Sequence, residues 1–268
     1  MMYKIAEQIR SRINNRTPQT AIILGSGLGA LAEEINNPVI IDYKDIEGFP
    51  QSTVQGHSGK LIIGELEGKE VLCMQGRIHL YEGYPPSTIN LIIKSFQILG
   101  IKNLIVTNAA GSLNPDFAPG TLMLIKDHIN LSGTNPLIGP NDNTLGPRFP
   151  GMANAYTPAY MEKAHQIAQK QNIKLNEGVY LWTLGPCFET AAEIKMFQTL
   201  GGDAVGMSTV PEVICAVHSG MNILGISVIT NYGTGMMQSA PSHEETLRES
   251  NKASADLIRL VKQFIREM

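Results

Sequence analysis

The chain has 268 residues, 43% of them hydrophobic, with a formal net charge of −3 and a pI near 6.1. That balance excludes the basic field that nucleic-acid binding needs, and no apolar run approaches the ~18–20 residues required to cross a bilayer. Three scattered cysteines, Cys73, Cys187 and Cys215, offer neither a disulfide framework nor metal spacing, and the charged start MMYKIAEQIRSRINNR lacks a signal-peptide core, so a reducing, cytoplasmic setting is expected.

In chain order, residues 2–14 predict an amphipathic helix and residues 21–24, AIIL, a short buried strand. The strand runs into Gly25-Ser26-Gly27-Leu28-Gly29-Ala30 and a helical stretch, LAEEI. Such a Gly-rich strand-to-helix turn leaves backbone N–H groups free for a phosphate. It also fits the dinucleotide pattern G-x-G-x-x-G/A, with Asp42 after a second apolar run, so NAD binding is open at this point. Against it, the chain continues as the polar, Gly-rich YKDIEGFPQSTVQGHSGK and not as a crossover helix.

Residues 61–63 and 71–74 predict a hairpin about Glu67-Gly68-Lys69. Next, Arg77, His79 and Tyr81 alternate, so an extended segment points all three the same way, offering a cation, an imidazole and a phenol to an anion and a sugar. The alternative is a solvated polar face, disfavoured by the flanking Gly and the Pro-Pro turn. A helix over 87–99 ends at Gly100, and a strand over 103–107 ends in Asn108-Ala109-Ala110-Gly111-Ser112, small residues that admit a ligand close to the backbone. A strand over 121–125 ends at Lys126-Asp127-His128. Residues 130–158, containing Arg148, Phe149 and Pro150, are rich in Asn, Gly and Pro. So long an irregular stretch is usually functional or an interface. A helix over 159–171 and a strand over 178–183 follow.

The stretch 183–212, TLGPCFETAAEIKMFQTLGGDAVGMSTVPE, concentrates the remaining chemistry. It reads as a Gly-Pro turn, a helix starting at Phe188 and Glu189 with apolar positions Ile194, Phe197 and Leu200, a stop at Gly201-Gly202, a short strand at Ala204-Val205-Gly206, and a loop carrying Met207, Ser208 and Thr209. An aromatic beside a carboxylate suits a flat heterocycle with an N–H donor. A serine after a strand suits an anion. An ordinary helix N-terminus, with Glu favoured by the dipole and Phe in the core, is the competing reading. A helix over 211–219, a strand over 222–230, Thr230-Asn231-Tyr232-Gly233, the segment TGMMQSAPS and a terminal helix from His243, capped by Ser242, complete the chain. No internal repeat or linker interrupts it.

Strands that end repeatedly in candidate ligand residues gather distant loops around one crevice. Taken in order, GSGLG at 25–29, GHSGK at 56–60, QGRIHLYEGY at 75–84, TNAAGSLN at 107–114, GPCFET at 185–190, GMSTVPE at 206–212 and ITN at 229–231 resemble the trimeric purine nucleoside phosphorylase family over nearly the whole chain, which displaces the NAD reading. The resemblance implies a single α/β domain over residues 1–268, a three-layer fold with a central mixed sheet flanked by helices. It implies phosphorolysis of purine nucleosides, 6-oxopurines preferred, by a homotrimer that needs no metal or organic cofactor. Inorganic phosphate is the co-substrate. Ser26, His57, Arg77, His79, the backbone at Ala109, and Ser208 match the family's phosphate ligands. Tyr81, Met207 and His243 match its ribose contacts, and Phe188, Glu189, Val205, Gly206 and Asn231 its base pocket. Asn231, Glu189 and His79 match its catalytic groups, and Phe149 the residue that closes a neighbouring subunit's site. Two departures stand out. Tyr232 replaces the lysine that animal members usually carry, and the lid-like segment 232–242 is slightly shorter than theirs. Relatives acting on methylthioadenosine usually carry Asp where Asn231 stands, whereas a preference for xanthosine stays open. A nucleoside-binding homologue without turnover is the alternative of a different class.

Overall fold

A computed structural model describes residues 1–54, 57–236 and 243–268, except the side chains of 243–247 and 250. Strand β1 (Thr20–Leu24) lies between β4 (Lys69–Gln75) and β5 (Asn103–Ser112), parallel to both. Its five residues are all buried and alternate between two cores. Ala21 and Ile23 join one face, Ile22 and Leu24 the other. That continuous apolar run is what a strand covered on both faces requires. Helices α1 (Met2–Arg10), α2 (Ser87–Leu99) and α5 (Val210–His218) cover the first face. Helices α3 (Pro158–Lys170) and α6 (His243–Arg266) cover the second. Among the described residues no helix is long and apolar enough to cross a membrane.

Outward from β4 the sheet continues antiparallel through β3 (Lys60–Leu66) to β2 (Asn36–Asp42). The Gly-rich turn therefore does not open a βαβ unit. It leads into a 3-10 helix, Gly29–Glu34, and then into a strand at the far end of the sheet. The dinucleotide reading fails here, because that motif needs a long helix and a parallel return beside β1. On the other side, β5 pairs along one edge with β9 (Asn222–Tyr232), which pairs with β6 (Leu122–Asn130), then β7 (Leu175–Trp182), then β8 (Ala204–Gly206). Strand β8 returns to β5, Val205 opposite Gly111, so these strands close into a ring.

The closure decides where a ligand can bind. Along its other edge, β5 meets β1 only over Asn103–Val106 and β8 only at Gly111 and Ser112. Residues 107–110 lie in the gap where β1 and β8 diverge. Residues two apart present their N–H and C=O to the same edge, so the Ala109 backbone faces the gap together with that of Thr107. A crevice at the C-terminal ends of strands, where neighbours part, is the usual ligand position in α/β sheets.

Several predicted boundaries move. Strands β5, β6 and β9 run on through polar residues to Ser112, Asn130 and Tyr232, because the neighbouring strands keep pairing with them. The helix predicted from Phe188 starts later, as α4 (Ala191–Thr199). Its Thr190 N-cap accepts from the Glu193 N–H at 3.2 Å, while the Glu193 carboxylate accepts from the Thr190 N–H at 2.7 Å. Ile194 and Phe197 bury against the ring, but Leu200, one residue past the helix, is 48% exposed.

Candidate active site

The gap beside β5 opens into a cavity of about 380 Å³, the size of a small-molecule site. The structure brings twelve of the sequence-predicted site residues to its wall. Ser26, from the Gly-rich turn, Arg77, His79 and Tyr81, from the segment after β4, and Ala109 lie on one side. Phe188 and Glu189, Val205, Gly206, Met207 and Ser208, and Asn231 complete it. His57 stands behind Ser26, its Nε2 3.1 Å from the Ser26 hydroxyl. Phe149 is elsewhere on the chain, 87% exposed beside the Arg148 guanidinium. Ser242, the His243 side chain, Gly56 and most of the 232–242 segment lie outside the described residues. Gly25 is dictated by packing: a Cβ there would come 2.6 Å from the Asn108 Cα, where the turn after β1 presses on β5.

Arg77 is the electrostatic centre. It is 1% exposed, and three of its five N–H groups are taken. Nε donates to Glu212 Oε1 at 3.0 Å, and Nη1 donates to the Thr107 carbonyl at 2.8 Å and to the Ser208 hydroxyl at 3.0 Å. Nη2 has no partner. A buried guanidinium edge left unpaired at a cavity wall costs free energy unless an acceptor arrives, so the site is built for an anion. Glu212 was not assigned by sequence reasoning. It sits in the first turn of α5, where the dipole favours a carboxylate, and that position was the available signal. Ahead of it, Thr209 is fully buried at φ 75°, a strained conformation for a β-branched residue. Its hydroxyl is held by Asn108 Nδ2 at 2.9 Å, which fixes the loop that carries Ser208.

His57, His79 and Tyr81 form a ladder of rings, with centroids 5.3 Å and 4.6 Å apart. Glu82 anchors it. Its carboxylate accepts from the His79 N–H at 2.7 Å and the Thr53 N–H at 2.6 Å. Burial raises its pKa, but the His79 side chain, followed by these backbone bonds, outweighs burial and holds it at about 2. Burial, followed by the neighbouring His79, pulls His57 down to about 4, and burial lowers His79 as well. A histidine whose folded pKa lies below its unfolded value of ~6.5 contributes its full stability above that pH and loses it as pH falls toward ~4. Melting temperature should therefore drop between pH 6.5 and 4, and His57→Gln should flatten part of that drop. An identical drop in the variant would assign it to other groups.

On the Phe188 side of the cavity, burial raises the Glu189 carboxyl pKa, with the Glu193 charge adding to it. Phe188 is 43% exposed, so its ring is not core but open to a planar ligand. Asn231 is 7% exposed, and its Nδ2 donates one N–H to the Tyr232 carbonyl at 3.0 Å, leaving the second free among the described residues.

The sequence profile of the Phosphorylase superfamily matches residues 19–266. Purine nucleoside phosphorylase 1 of Geobacillus stearothermophilus is 50% identical over 94% of this chain and 92% of its own. The purine nucleoside phosphorylase of Rattus norvegicus is 47% identical over 98% and 91%. Crystal structures of Schistosoma mansoni purine nucleoside phosphorylase in complex with inosine and with adenosine, 38% and 39% identical, match with TM-scores of 0.94 and 0.95 over 100% of this chain and 96% of theirs. Motif order, fold, cavity and these likenesses agree: the chain belongs to the Phosphorylase superfamily, and within it to the purine nucleoside phosphorylases.

Proposed function

We propose that this chain cleaves the N-glycosidic bond of purine (2′-deoxy)ribonucleosides with inorganic phosphate, preferring 6-oxopurines such as inosine and guanosine. The products are the free base and (deoxy)ribose 1-phosphate, the chemistry of purine salvage, with phosphate as the only co-substrate. One observation carries the reading: a single cavity holds an unpaired buried guanidinium edge together with an open aromatic face, a carboxylate and an amide.

In this reading phosphate is held by Arg77, Ser26, His57, His79, Ser208 and the Ala109 backbone N–H, which faces the gap in the sheet. Tyr81, Met207 and His243 take the ribose. Phe188, Val205 and Gly206 enclose the purine, whose N1–H donates to Glu189 and whose N7 and O6 face Asn231. Cleavage builds positive charge on the sugar and negative charge on the departing base. The bound phosphate stabilises the first and is also the nucleophile. The free N–H of Asn231 stabilises the second, and a donor so placed is typically worth about 3–4 kcal/mol of barrier. The adenosine complex of the S. mansoni protein concerns occupancy in that protein; the preference proposed here is one of turnover. Inosine should release hypoxanthine only when phosphate is present, with ribose 1-phosphate in equal amount. Release without phosphate would make the chain a hydrolase, and a thermal shift with nucleoside but no release would make it a binding protein.

Phe149 is assigned to the neighbouring protomer's cavity in a homotrimer. Its 87% exposure within the irregular 131–157 segment, near Ile138 at 73%, supports that placement. Phe149→Ala should raise the nucleoside KM about 10-fold or more, the usual effect of losing an aromatic anchor, and leave the phosphate KM nearly unchanged. A fully active monomer in sizing and kinetic runs would refute the shared site.

A further inference from the structure

In a regular strand successive side chains point to opposite faces, yet Thr230 and Asn231, adjacent on β9, both line the cavity. The pairing with β5 explains this. Ala110 stands opposite Ile229, but Gly111 stands opposite Asn231, so Thr230 is an extra residue, a bulge of the kind that re-aims side chains beside active sites. Gly111 leaves the room this needs, since a Cβ there would come 3.2 Å from Asn231 Nδ2.

The bulged residue is placed to control its neighbour. The Thr230 hydroxyl lies 2.9 Å from Asn231 Oδ1 and 3.3 Å from the Ala110 carbonyl. It has one proton and two candidate acceptors, and the shorter contact takes it. On the other side of the amide, the Tyr232 carbonyl at 3.0 Å can only accept, which fixes Nδ2 there and Oδ1 against the hydroxyl. A flipped amide would set two oxygens against each other at Tyr232. Both amide ends are thus held by residues that are themselves buried or part of the strand, as a donor for a developing charge must be.

We propose that Thr230 is a positioning residue: through its hydroxyl it fixes the orientation of the Asn231 amide, and through that amide the selection and departure of the base. The proposal rests on the reading of Asn231 as the group facing N7 and O6. Loss of the hydroxyl frees the amide to rotate about its last bond, so that the free N–H is no longer aimed when the base acquires charge. The phosphate side of the cavity should be little affected, because the Thr230 hydroxyl bonds to Asn231 and the Ala110 carbonyl and not to the side chains assigned to phosphate.

The test is steady-state kinetics of Thr230→Val, Thr230→Ser and Asn231→Ala on inosine and on 7-methylinosine, whose base already carries a positive charge at N7 and leaves without a donor there. Thr230→Val should lower kcat/KM for inosine about 10- to 100-fold, the range expected when a positioned donor is misaligned. The loss on 7-methylinosine should stay under about 3-fold, with the phosphate KM unchanged, and Thr230→Ser should recover most of the inosine activity. Should the valine variant not fold, Thr230→Ala makes the same comparison. Equal losses on both nucleosides, or no recovery by serine, would overturn the proposal. So would full inosine activity in Thr230→Val beside an impaired Asn231→Ala. Full inosine activity in Asn231→Ala would instead overturn the reading of the base site on which the proposal rests.

Discussion

Arg77→Ala is expected to lower phosphate-dependent inosine cleavage by about 10²–10³-fold or more, since it removes a charge-assisted donor pair aimed at the anion. The same substitution leaves Glu212 buried without its cation, and breaking a buried pair from one side costs about 3–5 kcal/mol of stability. Melting temperature should therefore fall together with rate. Arg77→Lys separates the two effects. An ammonium keeps the charge beside Glu212 but cannot also reach the Thr107 carbonyl and the Ser208 hydroxyl with a free edge to spare. It should keep most of the stability and still lose most of the phosphate dependence. The measurement is kcat/KM for phosphate at saturating inosine, with thermal melts of all three proteins. Unchanged phosphate kinetics in the alanine variant would put the anion elsewhere.

Asn231→Asp should shift the base preference toward 6-aminopurines. In the wild type, a 6-aminopurine presents a donor where O6 was and lacks the N1–H that Glu189 accepts, so two groups facing the base are left opposed or unpaired. Sites that hydrogen-bond a particular substrate group can reject its analogue by about 10⁴ or more, and adenosine should be a very poor substrate. In the variant a carboxylate oxygen would replace Nδ2 3.0 Å from the Tyr232 carbonyl. That contact and burial both favour the protonated acid, its O–H turned to the carbonyl. Toward the ligand the residue then offers only acceptors. Both nucleosides lose the N7 donor, but inosine also meets an acceptor at O6 and should fall about 10²-fold or more, while adenosine gains a partner for its amino group, so the ratio should move toward adenosine. The ratio of the two specificity constants, measured in both proteins, decides the matter. A wild type that cleaves adenosine as well as inosine, or a ratio that does not move, would refute this account of base recognition.

The site residues were legible where short segments carry their own chemistry. Arg77, His79 and Tyr81 announce themselves by alternation, Ser26 by the glycines around it, and Phe188 with Glu189 by adjacency after a turn. What stayed hidden depends on partners remote in sequence. Glu212 meets Arg77 across 135 residues, and nothing local distinguishes it from an ordinary first-turn glutamate. Polar and glycine residues such as Asn108 and Gly111 read as loop, yet they are strand because β9 pairs with them to Ser112. The bulge at Thr230 has no signature of its own. It exists because β5 and β9 fall out of step by one residue. The dinucleotide pattern misled for the same reason in reverse: the local turn is right, and the topology around it is wrong.

The ring formed by β5, β9, β6, β7 and β8 also bears on how the chain avoids edge-to-edge strand pairing with copies of itself. A strand with an unpaired row of N–H and C=O groups is a template for another chain. By returning to β5, β8 removes one end of the sheet, and the short stretch of β5 left open lies within a pocket, where a ligand and not a strand can reach it. Among the described residues β2 is the strand at the other end of the sheet order. Pro38 denies it a donor, Asn37 breaks its extended path at φ 48°, and its pairing with β3 shifts register between Asn36 and Val39. The exposed Ile40 on that strand is thereby set in an edge too irregular to extend the sheet into a second molecule.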